Sequence, residues 1–298
     1  MAKPRELRRR IRSIQNTRKI TKTMELVSTS KLKRAQDRVI AARPYARALA
    51  EVLGDLYGPE LAERFPLLRQ PAADGTRRPS GSPVGRVGLV LITSNRGLCG
   101  AFNANLIREA RRRMEELEGQ GARIDLHLVG KKGISYFKFT KRAVASQRTD
   151  IGDKPTAGHA AELVAPLMAQ FEAGALDAVE VVFAQFKSAV STPPTTLRIL
   201  PVAPPPAGRR TAAFYILKPS ADAILESLLP LYVRNQMFRA LVETAAAEHG
   251  ARRTAMKNAT DSAGDMLDQL RRTYNRARQA VITQELAEIV GGAEALKG

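Results

Sequence analysis

Residues 32–56 decide the fold class, and they read LKRAQDRVIAARPYARALAEVLGDL. Apolar side chains recur in this stretch at alternating spacings of three and four residues. The positions are Leu32, Ala35, Val39, Ala42, Ala46, Leu49, Leu53 and Leu56. A repeat of this kind is typical of a helix that packs along a partner helix in a coiled coil.

The pattern reaches back toward the N-terminus, so we predict one helix over residues 4–57. The earlier apolar positions are Leu7, Ile11 and Ile14, followed by Ile20, Met24 and Val27 with a displacement of one residue. Where the apolar repeat is displaced, near residues 20 and 32, the supercoil of the two helices would change locally. Pro44 lacks an N–H donor and should bend the helix.

The C-terminal segment, residues 219–298, also has a helical pattern of apolar residues, and Gly291-Gly292 is its predicted stop. The spaced apolar positions are Ile224, Leu228, Leu231, Phe238, Leu241, Val242, Ala245, Met256, Ala259, Ala263, Met266, Leu270, Ala277, Val281 and Ile289. Each terminal helix needs a partner for its apolar side. We therefore expect the two to pair as an antiparallel two-helix coiled coil.

Between the terminal helices, strand and helix patterns alternate, which predicts a small α/β domain with a mainly parallel sheet. The predicted strands are 86–94, 123–130 and 178–187, the helices 102–118 and 157–173, and the edge strands 195–202 and 213–217. The predicted division is a helix over 1–57, a Pro- and Gly-rich linker over 58–85, the α/β domain over 86–218 and a helix over 219–298.

Composition narrows the class of protein. The chain has 298 residues, 48 Lys and Arg against 29 Asp and Glu, and a net charge of +19. Cys99 is the only cysteine, so an intramolecular disulfide is excluded, and with three histidines a Cys/His zinc site is not expected. We find neither a stretch near 20 apolar residues nor a secretory signal. We therefore expect the protein on the cytosolic side of a membrane or free in the cytosol, without membrane insertion.

The strand 86–94 leads through Ser94–Asn103 into a helix, a position where nucleotide-binding proteins carry glycines. The spacing here is Gly-x-x-Gly and not a phosphate-binding fingerprint, so a tight turn is the simpler interpretation. Cys99 fits a small turn residue, and His127 has no acid and nucleophile to pair with. We predict no catalytic residue, no cofactor and no metal site.

Residues 1–57 hold 15 basic and 5 acidic residues. Three interpretations stay open on charge alone: a phosphate-binding face for nucleic acid, a solvated helix surface, or a face directed at acidic loops of a protein partner. Phe and Trp do not interleave the cations for base stacking, and the apolar seam calls for protein. A basic coiled-coil nucleic-acid-binding protein is the alternative function.

Several separated motifs carry a family resemblance. Ile20-Thr-Lys-Thr-Met-Glu-Leu-Val-Ser-Thr-Ser-Lys-Leu-Lys33, with Asn16–Ile20 before it, resembles the N-terminal helix of the F-type ATP synthase gamma subunit family. Arg96–Asn103 is similar to that family's central-domain turn. Ala255–Asp261, Tyr274–Ala280 and Ile282–Ala295 are similar to its C-terminal helix. The resemblance spans essentially the whole chain.

The resemblance implies a non-catalytic rotor subunit. Its terminal helices would form a shaft inside a ring of three alpha and three beta subunits, and its lower part would meet the epsilon subunit and the membrane c-ring. Proton flow would turn the c-ring and this chain together, and ATP would be made or hydrolysed on beta. The protein would be peripheral, on the cytoplasmic face of the energy-coupling membrane, and would bind no nucleic acid.

The resemblance also implies residue roles. Lys22, Met24 and Arg252 would lie near acidic beta loops, and Arg278 and Gln279 would engage a beta loop further up the shaft. Thr283, Glu285 and Glu288 match positions tied to coupling, and Ile289–Leu296 would sit in the bearing of the ring. Redox control by an inserted cysteine pair is not expected. Segment 69–86 is read only as a surface loop.

Overall fold

The computed structural model describes residues 4–56, 64–69, 85–189, 191–203 and 221–295. In chain order, one long helix precedes the central α/β region and the other follows it. The helices are α1 (Pro4–Leu56), α2 (Phe102–Gly119), α3 (Lys131–Phe139), α4 (Ala157–Glu172) and α5 (Ala221–Ala295), with a 3-10 turn at Pro66–Leu68. The strands are β1 (Arg86–Ile92), β2 (Arg123–Val129), β3 (Ser146–Arg148), β4 (Ala178–Ala184) and β5 (Pro194–Leu200).

The chain divides into two compact units. The first unit consists of Met1–Ser28 and Arg252–Gly298, and its described residues belong to the outer parts of α1 and α5. The second unit is Thr29–Ala251 and holds the sheet, the three shorter helices and the inner parts of α1 and α5. The domain boundaries expected at residues 57, 85 and 218 stay predictions.

The sheet of the second unit has the strand order β3-β2-β1-β4-β5. β1 pairs in parallel with β2 and with β4, β2 pairs in parallel with β3, and only β5 is antiparallel, against β4. The expected α/β architecture with a mainly parallel sheet and long terminal helices is confirmed. The predicted strand at 213–217 lies outside the described residues.

Both faces of the sheet are covered, and side chains alternate between them along each strand. One face sends residues such as Val90 and Val181 toward α4 and the first turns of α5. The other face sends Leu89 and Leu91 toward α2 and toward Leu32 on α1. The inner parts of the two long helices are therefore bound into the core of the second unit.

Several element ends differ from the prediction for identifiable reasons. β2 ends at Val129 because Gly130 has a φ of 98°, which a strand does not allow. The helix α3 and the short strand β3 were not predicted. α5 runs through Gly291-Gly292 to Ala295, so the predicted stop is wrong. Glycine weakens a helix interior but does not by itself end it.

Candidate functional site

Over residues 15–28 of the first unit, the fully buried positions of α1 are polar where an apolar seam was predicted. Thr21 and Ser28 are only 9% and 2% exposed, whereas Ile20 and Val27 are 60% and 51% exposed. The seam positions assigned to Ile20 and Val27 are therefore wrong, and Met24 is half-buried. Positions 14, 18, 21, 25 and 28 keep a regular spacing of four and three residues. Thr21 and Ser28 are its buried members, Ile14 and Glu25 are half-buried, and Arg18 is exposed. Nearer the N-terminus the helix buries Leu7.

Two threonine hydroxyls meet in this polar seam. Thr260 Oγ1 lies 2.8 Å from Thr21 Oγ1, within hydrogen-bond distance. Each hydroxyl also has a main-chain carbonyl oxygen of its own helix in reach, Arg18 at 3.1 Å for Thr21 and Met256 at 2.8 Å for Thr260. Each hydroxyl can therefore donate either to the other threonine or to the carbonyl oxygen of its own helix, and both hydroxyls have a hydrogen-bond partner.

Beside this threonine pair, Gly264 of α5 leaves space for the guanidinium group of Arg18 on α1. A Cβ built on Gly264 would lie 3.6 Å from Cζ of Arg18, so the guanidinium covers the bare backbone of α5. Arg18 occupies a seam position at which a coiled coil carries an apolar residue. The missing side chain at position 264 lets the two helices approach around it.

The outer surface of α1 in the first unit combines apolar and basic side chains. Ile20 and Val27 are one heptad apart, and Leu26 beside them is 59% exposed. Lys19 and Lys22 are exposed on the same helix, and Nζ of Lys22 lies 3.2 Å from a Glu25 oxygen. Large apolar groups exposed among cations are typical of a surface that meets another protein.

Residues 278–293 of α5 are all exposed. Its exposed apolar residues are Val281, Ile282, Leu286, Ile289 and Val290. A solvated helix of this length ordinarily presents polar residues on most of its surface, so this segment has the composition of an interface.

Six of the eight predicted site residues are exposed on these surfaces. Arg278, Gln279, Thr283, Glu285 and Glu288 are exposed on α5, and Lys22 is exposed on α1. Local contacts within α5 hold two of them: the Thr283 hydroxyl donates to the Gln279 carbonyl oxygen, and the Gln284 amide donates to Glu288. The other two are Met24, which is half-buried, and Arg252, which is only 8% exposed and has contacts within the chain.

In the second unit, the Gly-x-x-Gly segment forms a tight turn between β1 and α2. Leu98 and Gly100 have positive φ values of 61° and 59°. The side chain of Asn103 accepts from the Ser94 N–H at 3.0 Å and donates to Sγ of Cys99 at 3.2 Å. Its polar groups are used within the turn, which favours the interpretation as a packing turn over a phosphate loop.

A cavity of about 560 Å³ opens at the carboxyl edge of the sheet beside this turn. Asn95 closes part of it by donating to the carbonyl oxygens of Thr149 and Ile151, at 3.0 and 2.9 Å. Asp153 receives the ammonium of Lys31 on α1, and His249 Nε2 on α5 lies 3.9 Å from its other oxygen. Burial would raise the pKa of Asp153, but the hydrogen bond from Lys31 holds it below its ordinary value. Asp153 therefore connects both long helices to the α/β region.

A buried carboxylate lies between the sheet and α2. Glu180 on β4 is 2% exposed and receives two hydrogen bonds from Arg113, at 2.6 and 2.7 Å, and two from Arg198. Burial acts to raise the pKa of Glu180, and the two guanidinium groups lower it below its ordinary value. Sequence reasoning missed this group, although one acidic residue in an otherwise apolar central strand is a visible signal.

Among the residues that the structure describes, no cluster of three or more His, Cys, Asp or Glu side chains could hold a metal ion. Within the same ranges, no helix combines the length and the apolar character needed to cross a bilayer.

Comparisons with known proteins agree in one family. The family model described as ATP synthase matches residues 3–296. An ATP synthase gamma chain from Gemmatimonas aurantiaca is 62% identical over 300 residues and is covered completely, as is this chain. An ATP synthase gamma chain from Leptospira biflexa is 42% identical, with 99% of this chain and 100% of that protein covered.

Solved structures share the fold. A chain of the Euglena gracilis mitochondrial ATP synthase, in a cryo-EM structure of OSCP, F1 and c-ring, has a TM-score of 0.67 at 19% identity and covers 98% of this chain and 94% of its own. A chain of the central stalk and c-ring structure from Tetrahymena thermophila has a TM-score of 0.56 at 22% identity and covers 80% of this chain and 99% of its own.

Proposed function

The chain belongs to the ATP synthase gamma chain family, and on that premise we propose that it is the central-stalk rotor of an F-type ATP synthase. It turns with the membrane c-ring and couples proton flow to ATP synthesis or hydrolysis at the beta subunits. The chain itself supplies no catalytic residue. Its task is mechanical, and chemistry takes place on its partners.

One observation carries this proposal: in the first unit α1 buries Thr21 and Ser28 and exposes Ile20 and Val27. A helix pair that served only its own stability would bury the apolar residues, since their burial is the main stabilising term. The arrangement is favourable when another protein covers the outer surface. A ring that surrounds the helices would provide that cover on every side.

The partners proposed for the chain are three alpha and three beta subunits, the epsilon subunit and the c-ring. The relatives are named as ATP synthase gamma chains, and the structures of similar fold contain F1 and c-ring components. We assign the chain to the periphery of the energy-coupling membrane, on its cytoplasmic face. None of the named relatives or structures is a nucleic-acid-binding protein, which leaves the alternative function without support.

The residues proposed for coupling fall into two groups. Lys22 and Met24, with the buried Arg252 behind the surface, would act near acidic beta loops. Exposed charge pairs are individually weak, so a rotating surface can exchange them from one ring position to the next. The second group would engage the ring at the end of α5 and comprises Arg278, Gln279, Thr283, Glu285 and Glu288.

Native mass spectrometry of the tagged protein, isolated from its own cells at moderate salt, tests the proposal. We expect one copy of this chain with three copies each of two larger subunits. Isolation with nucleic acid that is released steeply as salt rises would overturn the assignment. So would ATP hydrolysis by the chain after rigorous removal of its partners.

A further inference from the structure

A second cavity of the second unit, of about 610 Å³, is lined by residues of α1, α5 and the segment after β4. Its apolar floor consists of Val39, Phe186 and Val242, which are all buried. The wall contributed by α1 is low, because Ala42, Ala46 and Ala50 follow one another at intervals of four residues. We call this cavity the alanine groove. Its volume is in the range of sites that bind ligands or short peptide segments.

The rim of the alanine groove carries three exposed cations. Arg43, Arg47 and Lys187 are exposed lining residues, and within the described ranges none of them has a carboxylate within 4.0 Å. The remaining pair of charges is already satisfied. Arg239 donates to Glu243 at 2.7 Å, and the other oxygen of that carboxylate accepts from the Phe186 N–H at 3.1 Å. The groove thus presents three uncommitted positive charges around an apolar floor.

We propose that the alanine groove binds an acidic peptide segment of a partner protein. Its carboxylates pair with Arg43, Arg47 and Lys187, and one apolar side chain rests on the floor. A free phosphate would satisfy the cations and would leave the apolar floor uncovered. Nucleic acid would need an exposed aromatic surface, and Phe186, the one aromatic residue in the lining, is buried.

Photo-crosslinking from the rim tests the proposal. A diazirine-bearing lysine analogue replaces Lys187 in the full chain, and the complex purified from its own cells is irradiated and analysed by peptide mass spectrometry. The same analogue at Lys138, an exposed position on α3, is the control. We expect position 187 to capture one segment of another polypeptide with net negative charge, and position 138 not to capture it. Capture of this chain alone, of a neutral or basic segment, or of nuclease-sensitive material would overturn the proposal.

Two matched variants show whether the groove itself holds the captured segment. Ala46→Phe fills the groove, whereas Ala48→Phe places the same ring on the exposed side of α1. We expect the first to abolish the cross-link from position 187 and the second to preserve it. Equal cross-linking in the two variants would overturn the proposal.

A charge variant tests the groove without adding a bulky side chain to it. Arg43→Glu combined with Arg47→Glu should reduce the cross-link about tenfold, since attraction becomes repulsion at two rim positions. Arg108→Glu, at an exposed position on α2, should leave it unchanged. An undiminished cross-link in the double variant would contradict the acidic character of the occupant. The subunit stoichiometry of the same preparation reports on the rotor assignment separately, so the two ideas can fail independently.

Discussion

Two stretches of helix α1 bury opposite kinds of side chain. Over residues 32–53 its buried positions are Leu32, Ala35, Val39, Leu49 and Leu53. Over residues 15–28 the buried positions are Thr21 and Ser28, whereas Ile20, Leu26 and Val27 are exposed. The stretch that is part of a core therefore buries apolar side chains, and the stretch that would meet a ring of other subunits exposes them.

The largest effect should follow from removal of residues 282–298, the part of the first unit that is most exposed and most apolar. We expect loss of assembly or of ATP-driven proton pumping, while the second unit keeps its fold, because residues 282–293, the part of that segment whose side chains the structure describes, are all exposed. Proton pumping by membrane vesicles and the circular dichroism of the isolated chain measure the two results.

A full-length variant shows whether the truncation acts by removing apolar contacts or by shortening the helix. Serine replaces Ile282, Leu286 and Ile289, three exposed apolar residues of that segment. If apolar contact is what matters, this variant should show much of the same defect. Normal pumping by the truncated chain would remove the segment from the coupling surface altogether.

The next effect concerns the buried ion network of the second unit. Arg113→Met leaves Glu180 with Arg198 alone, and we expect a loss of about 3 kcal/mol in the free energy of unfolding, because a buried carboxylate loses its principal partner. Arg112→Met is the matched control on the same helix. Arg112 is exposed and pairs only along α2, so no comparable loss is expected. Urea unfolding of the purified chain measures both.

The same network predicts a pH dependence. The folded-state pKa of Glu180 is lowered, so its charged form contributes stability at pH values above its ordinary pKa. That contribution is lost as the pH falls through the folded-state pKa. Glu180→Gln should therefore flatten the acid side of the stability profile, and a profile that kept its full slope would assign the acid sensitivity to other carboxylates.

A direct comparison of the two halves of α1 comes from two alanine substitutions. Leu53→Ala removes a side chain with no exposed surface and should cost about 2–5 kcal/mol. Ile20→Ala removes a 60% exposed side chain and should change stability by no more than about 0.5 kcal/mol. If Ile20→Ala nevertheless weakens assembly, the exposed residue serves a partner. Equal stability costs would contradict the reversal of the seam.

The sequence correctly predicted the helices and strands whose residue pattern has a single structural interpretation. Three of the parallel strands, β1, β2 and β4, were predicted because each is a short apolar run bounded by turns, and the apolar repeat identified the long helices. The helix α3 was missed because Lys131–Phe139 contains Gly133 and few strong helix formers. Its stability comes from tertiary contacts, including the Gly133 N–H that donates to the Thr93 hydroxyl at 3.0 Å.

The seam of the first unit could not be read correctly from apolar positions alone. Ile20 and Val27 have the residue types of a core, and the rule that apolar residues are buried holds only when the chain is considered without partners. The unbroken spacing through Thr21 and Ser28 is present in the sequence. It is recognised only when polar residues are allowed at seam positions, as in coiled coils that use them to specify register.

The smallest expected effect concerns the hydroxyl pair in that seam. Thr21→Val or Thr260→Val leaves one hydroxyl without its interhelical partner, but each survivor keeps a main-chain acceptor, the Met256 or the Arg18 carbonyl oxygen. We therefore expect each single substitution to cost no more than about 1 kcal/mol, and the double substitution to cost less than the sum of the two. A double-mutant cycle by urea unfolding measures the coupling. If the double variant is more stable than the wild type and couples proton pumping less well, the polar seam serves rotation at the expense of stability. Additive losses with normal pumping would instead reduce the pair to an ordinary interhelical contact.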